Sequence, residues 1–178
     1  KYENFFVGIG FDRTITRQLT KSLALKSKQD IGLMTLNAIY SRVNANNSFS
    51  TISAILSTNF DENERDELTF RPENNAQTAK LVIEASHLHP LNDVWSIYGK
   101  VTLVGSIDPL VDVQRFRIGG RESVRGYASS ELSGDGGYSF TLEINRRFIY
   151  AQTMPSRVFL FFDTGTVTRK DSNLIGLA

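Results

Sequence analysis

Apolar and polar residues alternate with a period of two along most of this chain. The alternation is clearest in "ENFFVGIGF", "TAKLVIEASH", "VWSIYGKVTLVGS" and "GYSFTLEINRRF". A two-residue period indicates a β-strand with one face in an apolar environment, and helical spacing fits none of these segments. The pattern predicts about eight strands, at residues 2–12, 15–26, 30–43, 49–60, 77–88, 94–106, 137–149 and 156–167.

The connections between the predicted strands differ in length in a regular way. Short connections at 13–14, 44–48, 89–93 and 150–155 alternate with 27–29, 61–76 and 107–136, of which the last two are long. In an up-and-down sheet, alternate connections lie at the same end. Short turns at one end and long loops at the other are typical of an outer-membrane β-barrel, whose tilted strands have about the predicted length. The sequence therefore predicts an all-β, antiparallel, up-and-down transmembrane barrel.

Aromatic residues near the predicted strand ends agree with a membrane barrel, in which such residues form girdles at the two interfaces. They are Tyr40, Phe60, Trp95, Tyr138, Phe148 and Tyr150. A soluble β-sandwich core uses the same two-residue alternation, so a sandwich that acts as a binding module stays open as an alternative.

Composition narrows the function classes. The chain has 178 residues, a formal net charge of +1 and no cysteine. It therefore has no strong basic field for nucleic acid, no disulfide framework and no thiolate metal site. No apolar run is long enough for a membrane-spanning helix. The chain begins at Lys1 rather than Met, which we interpret as a piece of a longer protein.

Neither catalysis nor a cofactor is predicted. The chain has no Ser-His-Asp ordering and no nucleophile elbow, and "GIG" at Gly8–Gly10 follows no strand-to-helix pattern that would bind a nucleotide. His87 and His89 share a strand face at a metal-like spacing, but no third ligand is evident, so we predict no metal site. In "SGDGG" one carboxylate among glycines is far from a calcium cage, and a turn is expected there.

A glycine- and arginine-rich segment, "FRIGGRESVRGYASSELSGDGG", separates two strongly alternating strands, and "FFDTG" follows it downstream. In "RVFLFFDTG", Asp163 alternates with Val158, Leu160 and Phe162. If those three side chains face lipid, Asp163 points into the barrel and needs a counter-charge, for which a guanidinium offers a two-pronged match. An arginine of the upstream segment can supply that guanidinium. For Arg125 the alternative is an exposed loop arginine near Arg115, Arg117 and Arg121 that binds an anion.

These two motifs resemble the signature of the outer-membrane β-barrel translocase and assembly superfamily. Within it, "GG..SVRGY" with a downstream "SGDGG" is similar to the two-partner-secretion transporters of the haemolysin-activator type. The resemblance implies a sixteen-stranded barrel, of which residues 1–178 would supply about eight strands and no periplasmic domain. It also implies that residues 107–136 fold back into the lumen. An eight-stranded barrel would be too narrow to hold such a loop.

The resemblance also implies roles for individual residues. Arg125 would be the loop-tip cation and Asp163 its partner on the barrel wall. Around them, Val124, Gly126 and Tyr127 would complete the tip motif, Gly119 and Gly120 would lie on the descent, and Phe161 and Gly165 would frame the wall aspartate.

The implied function is a pore in the bacterial outer membrane that exports, and thereby activates, a large β-helical adhesin or haemolysin. Its partners would be that secreted protein, unfolded in transit, and outer-membrane lipid, with no nucleic acid, small-molecule substrate or cofactor. A barrel-assembly factor of the same superfamily and a passive porin stay open as alternatives.

Overall fold

The computed structural model describes residues 1–20, 25–59, 78–110, 114–150 and 153–170. All the regular structure in these ranges is β-strand, and none of it is a helix that could cross a membrane. The nine strands are β1 (Tyr2–Thr20), β2 (Leu25–Val43), β3 (Phe49–Asn59), β4 (Ala79–Pro90), β5 (Trp95–Ser106), β6 (Phe116–Ile118), β7 (Leu132–Gly134), β8 (Gly136–Tyr150) and β9 (Met154–Thr168). The predicted all-β class is confirmed.

Seven long strands form one antiparallel sheet in the order β1-β2-β3-β4-β5-β8-β9, and the sheet is not closed. The short strands β6 and β7 pair with each other in a separate ribbon. The connections 44–48, 91–94 and 151–153 lie at one end, which we name the turn end. Residues 21–24, 60–78 and 107–135 connect strands at the opposite end, the loop end. The predicted separation of short and long connections is thus confirmed for five of them.

The predicted connections at 13–14 and 27–29 are wrong. β1 is a single strand of 19 residues that pairs with all 19 residues of β2, so the predicted strands 2–12 and 15–26 are not separate strands. Asp12, Arg13 and Thr14 form a polar run that resembles a turn. They contain no Gly, Pro or Asn to set turn geometry, and β2 offers each of them a ladder partner.

The long sheet has one apolar and one polar face. On the apolar face, Phe5, Phe11 and Leu160 are 71, 72 and 73 % exposed, and the described part of the chain places no other element over them. Broad exposed apolar surface of this kind is typical of contact with lipid, and a soluble sandwich would cover it with a second sheet. The predicted lipid-facing side chains Val158, Leu160 and Phe162 all lie on this face.

The polar face carries residues 107–110 and 114–135, which we name the long loop. Near its start, the Gln114 side-chain amide donates to Asn59 Oδ1 at 2.7 Å, and the Gln114 backbone carbonyl oxygen accepts from Lys80 Nζ at 2.7 Å. Farther along, Ile118 lies against Gly165 of β9. Of the buried hydrophobic side chains in the described ranges, Leu110, Ile118 and Val124 belong to the long loop. The small core therefore lies between this loop and the polar face.

Candidate functional site

The loop tip, residues 119–131, is held to the polar face by Arg125. Its Nε and backbone N–H both donate to Asp163 Oδ2, at 2.7 and 3.0 Å, and Nη2 donates to Oδ1 at 2.8 Å. Nη1 donates to Glu143 Oε1 at 2.5 Å. Asp163 lies on β9 and Glu143 on β8, so one guanidinium joins two neighbouring strands.

The surroundings of Arg125 strengthen these contacts. Its side chain is 19 % exposed, while those of Asp163 and Glu143 are 2 % and 14 % exposed. The guanidinium carbon lies 3.8 Å from the centre of the Phe161 ring, within the range of a cation–π contact. Hydrogen bonds from the Arg125 side chain, first to Asp163 and then to Glu143, raise the pKa of Arg125 above its ordinary value. Arg125 is therefore a cation at neutral pH.

The loop tip closes on itself before it meets the wall. The backbone N–H of Gly120 donates to the Tyr127 carbonyl oxygen at 3.1 Å, and the Ser123 hydroxyl accepts from Gly119 N–H at 2.9 Å. Gly119 has a φ of 108°, and a Cβ there would lie 2.3 Å from the Ala128 carbonyl oxygen. Only glycine fits both conditions. This closure presents the Arg125 side chain outward from a tight turn.

Gly165 lets the long loop approach the wall. A Cβ at this position would lie 2.8 Å from the Tyr138 carbonyl oxygen and 3.3 Å from Ile118 Cδ1. A larger residue would push the β6–β7 ribbon away from β9, and with it the loop tip. The glycine of "FFDTG" therefore serves close packing next to the aspartate that binds Arg125.

The base of the long loop is fixed by Asp135, which is 1 % exposed. Its two carboxylate oxygens accept hydrogen bonds from backbone N–H groups, Oδ1 from Leu110 at 2.8 Å and Oδ2 from Lys170 at 2.7 Å. Its own N–H donates to the Thr168 carbonyl oxygen at 2.8 Å. Asp135 thus ties the first and last residues of the loop to the end of β9.

The base and the tip are far apart along the wall. From Thr168, beside the base, to Asp163, beside the tip, β9 advances five residues, or about 16 Å at the usual strand rise. The long loop therefore extends from the loop end towards the middle of the sheet.

The structure brings most of the predicted site residues together. Arg125 meets Asp163, Phe161 lies beneath the guanidinium, and Val124 is buried. Gly126 follows the cation with a φ of 93°, Gly119 and Gly120 begin the tip, and Gly165 faces the ribbon. The Tyr127 ring is 64 % exposed, so Tyr127 contributes through its backbone carbonyl rather than its side chain.

Two functional residues lie outside the predicted set. Glu143 was assigned to the polar side of its strand by the alternation, but the sequence alone gives no β8–β9 register to set it beside Asp163. Asp135 lies in "SGDGG", which was interpreted as a turn. Its carboxylate is occupied by backbone N–H groups. The glycines around Asp135 were the signal in the sequence that this segment packs closely against another strand. Gly134 and Gly137 pass too close to β9 for a side chain.

The two histidines do share a face, with ring centroids 5.8 Å apart, and His87 Nδ1 lies 2.8 Å from the Ser50 hydroxyl. The described ranges contain no group of three or more metal-ligating side chains. Phe60, one of the predicted girdle residues, lies outside the described residues.

An open antiparallel meander with one exposed apolar face and one polar face is typical of a fragment of an outer-membrane β-barrel. The chain matches the family described as haemolysin secretion/activation protein ShlB/FhaC/HecB over residues 26–178. It belongs to that family of two-partner-secretion transporters. The predicted family is thereby confirmed. No curated protein and no solved structure matches the chain.

Glu143→Gln should loosen the loop tip without releasing it. Asp163 accepts three of the four hydrogen bonds of Arg125, and Glu143 accepts one, so removing the Glu143 charge leaves most of the contact in place. We expect a cost of about 1 kcal/mol in loop docking. Partial proteolysis of the complete transporter in detergent should show slightly faster cleavage in residues 119–131. Cleavage as fast as in a variant that lacks Arg125 would contradict this ranking.

Proposed function

We propose that this chain forms the wall and the pore loop of an outer-membrane channel that exports a large β-helical adhesin or haemolysin and so activates it. In this proposal the polar face lines a wide, water-filled lumen and the apolar face contacts lipid. Residues 1–178 act as one partial barrel domain, and the long loop lies inside the lumen. Arg125, Asp163 and the residues around them are its anchor.

The observation that carries the proposal is the contact of one loop cation with carboxylates on two adjacent wall strands. An exposed anion-binding loop would leave the guanidinium free, whereas Arg125 is engaged on both sides. The chain belongs to a family of secretion transporters, which supports protein export as the function of the pore.

The proposed mechanism needs no cofactor. The docked loop narrows the lumen at rest, and the unfolded partner enters from the turn end, which faces the periplasm. Folding of the partner outside the cell makes export irreversible. Because the Arg125 contact is made of hydrogen bonds and charge, water and a passing polypeptide can replace it, which suits a contact that must open and close.

Co-production tests this proposal directly. The complete transporter and a large secreted protein encoded beside it are produced together in a Gram-negative host. We expect the partner in the medium when both are present and in the periplasm when the transporter is omitted. An unrelated periplasmic protein serves as the leakage control and should stay inside the cells.

Two results would contradict the proposal. Release of the unrelated protein together with the partner would indicate passive diffusion. Loss of other barrel proteins from the membrane on depletion of the transporter, with export of the partner unchanged, would indicate an assembly factor instead.

A further inference from the structure

A second site lies on the polar face, near the turn end. An open cleft of about 890 Å³ is lined there by residues of two turns and of strands β4, β5, β8 and β9. Its volume is within the usual range of ligand sites. The lining includes Arg147, Arg157, Asn145 and Tyr98, together with Glu143, which binds Arg125. The cleft therefore begins where the loop-tip contact ends.

The feature that needs an explanation is the pairing of Arg147 with Arg157. These two residues stand directly opposite each other in the β8–β9 register, on the same face. Like charges in that position destabilise a sheet. Neither guanidinium has a carboxylate partner among the described residues. Arg147 Nη2 lies 3.5 Å from the Asp93 carbonyl oxygen, and Arg157 stacks near the Phe159 ring. Two unneutralised cations thus face the same space.

We propose that this cleft binds an acidic segment of an extended polypeptide, with a carboxylate held between Arg147 and Arg157. The proposal rests on the function proposed above, because the polypeptide is then the exported partner as it enters from the turn end. A carboxylate can accept hydrogen bonds from two guanidinium groups at once. Its negative charge then offsets the repulsion between the two arginines. The pair acts as a capture site at the entrance of the pore.

Several features of the cleft favour a polypeptide over a lipid headgroup. The cleft opens on the polar face, on the opposite side of the sheet from the exposed apolar residues. Its lining includes the amide side chains of Asn46, Asn47 and Asn92, which can donate to and accept from a peptide backbone. Arg125 carries one positive charge against the two carboxylates of Asp163 and Glu143, so that contact keeps a net negative charge. At the rim of the cleft, Arg147 and Arg157 carry two positive charges against the one negative charge of Asp93.

The Arg147–Arg157 pair lies close to the carboxylates that hold the loop tip. Along β8, Arg147 lies four residues from Glu143, or about 13 Å at the usual strand rise. An acidic segment of five or six residues bound at the rim would therefore reach the carboxylates that hold Arg125. Capture at the rim places the polypeptide where it can compete for the anchor of the long loop.

The test uses the complete transporter in detergent and two synthetic peptides. One is an extended Ser/Gly/Asn peptide with three Asp residues, and the other has Asn at those three positions. Fluorescence anisotropy gives the two affinities at low and at physiological salt. We expect the acidic peptide to bind the wild type at least about tenfold more tightly, and Arg147→Gln/Arg157→Gln to lose that preference. Inorganic phosphate at matched ionic strength should not displace the peptide.

A matched control is available on the opposite face. Arg42→Gln/Arg146→Gln removes the same number of charges, but Arg42 and Arg146 lie on the apolar side of their strands, and Arg146 stacks on Trp95. This variant should keep the preference. Arg147→Glu/Arg157→Glu should prefer a third peptide with Lys at the three positions. That reversal cannot come from misfolding.

Equal affinities of the wild type for the acidic and the amide peptide would overturn the inference, and so would a preference that survives Arg147→Gln/Arg157→Gln. Displacement of the acidic peptide by phosphate, or by vesicles of anionic phospholipid, would assign the site to phosphate groups and overturn it as well. In each case export of the partner by the wild type would still stand, so this failure differs from a failure of the proposed function.

Discussion

Arg125→Ala in the complete transporter should reduce secretion of the partner severely while leaving the barrel inserted in the outer membrane. The substitution removes every hydrogen bond from the guanidinium to Asp163 and Glu143 and leaves two carboxylates without their cation. Breaking a well-buried ion pair costs about 3–5 kcal/mol. Because Arg125 keeps some exposure to water, we expect about 2–3 kcal/mol here.

A cost of that size should raise the ratio of undocked to docked loop by about 30- to 150-fold. Three measurements on Arg125→Ala check this expectation. The amount of partner in the medium reports export, planar-bilayer recordings report the conductance of the released pore, and limited proteolysis reports exposure of residues 119–131. We expect less export, a noisier conductance and faster cleavage.

Two further variants distinguish loss of the Arg125 contact from loss of any positive charge in the loop tip. Arg121→Ala removes an exposed arginine from the same loop tip and should behave as the wild type. Arg125→Ala/Asp163→Ala should be little worse than Arg125→Ala alone, because both substitutions remove the same contact. Export at the wild-type rate from Arg125→Ala would remove Arg125 from the mechanism. Additive losses in the double variant would show that the two residues act separately.

Asp135→Ala should destabilise the base of the long loop and the end of β9. The carboxylate of Asp135 satisfies the backbone N–H groups of Leu110 and Lys170, and Leu110 is fully buried. Leaving a buried donor without an acceptor costs about 1–3 kcal/mol. Two such donors give an expected loss of about 2–6 kcal/mol in the free energy of unfolding.

This loss can be measured in the purified transporter by gel electrophoresis without boiling. The samples are heated to a series of temperatures, and the gel shows the temperature at which the mobility changes from that of the folded to that of the unfolded protein. Asp135→Ala should unfold at a clearly lower temperature than the wild type. Glu122→Ala, which removes an exposed carboxylate from the same loop, is the matched control. An unchanged transition for Asp135→Ala would mean that water replaces the carboxylate at both N–H groups.

The face of each residue was predictable from the sequence wherever the two-residue alternation was regular. Val158, Leu160 and Phe162 were assigned to the lipid side against Asp163, and the β8–β9 register agrees. Alternation reports the environment of a strand directly, because successive side chains point to opposite faces. The pairing of Arg125 with Asp163 came from the resemblance of the two motifs, and the alternation supported it, because an inward carboxylate needs a cation.

The ends of the strands were not predictable in this way, and neither was Glu143 as the second carboxylate that binds Arg125. The polar run at Asp12–Thr14 continues as strand because β2 supplies pairing partners for it. The residues of one strand do not reveal how long the strand paired with it will be. Glu143 reaches Arg125 only because its strand is registered so that Phe161 lies opposite it. Register is a property of two strands together, and a shift of one residue would turn Glu143 to the other face.

The anchor of the long loop also bears on how the protein folds. The hydrogen bonds of Arg125 are made with residues 18 and 38 positions later in the chain, on two strands joined by a short turn. Loop-closure entropy grows only slowly with length, so separations of 18 and 38 residues differ little in the chain entropy they cost. All partners of the Arg125 side chain in the Asp163 and Glu143 contacts lie in the β8–β9 hairpin, so docking of the loop tip requires this hairpin and no contact with the five preceding strands.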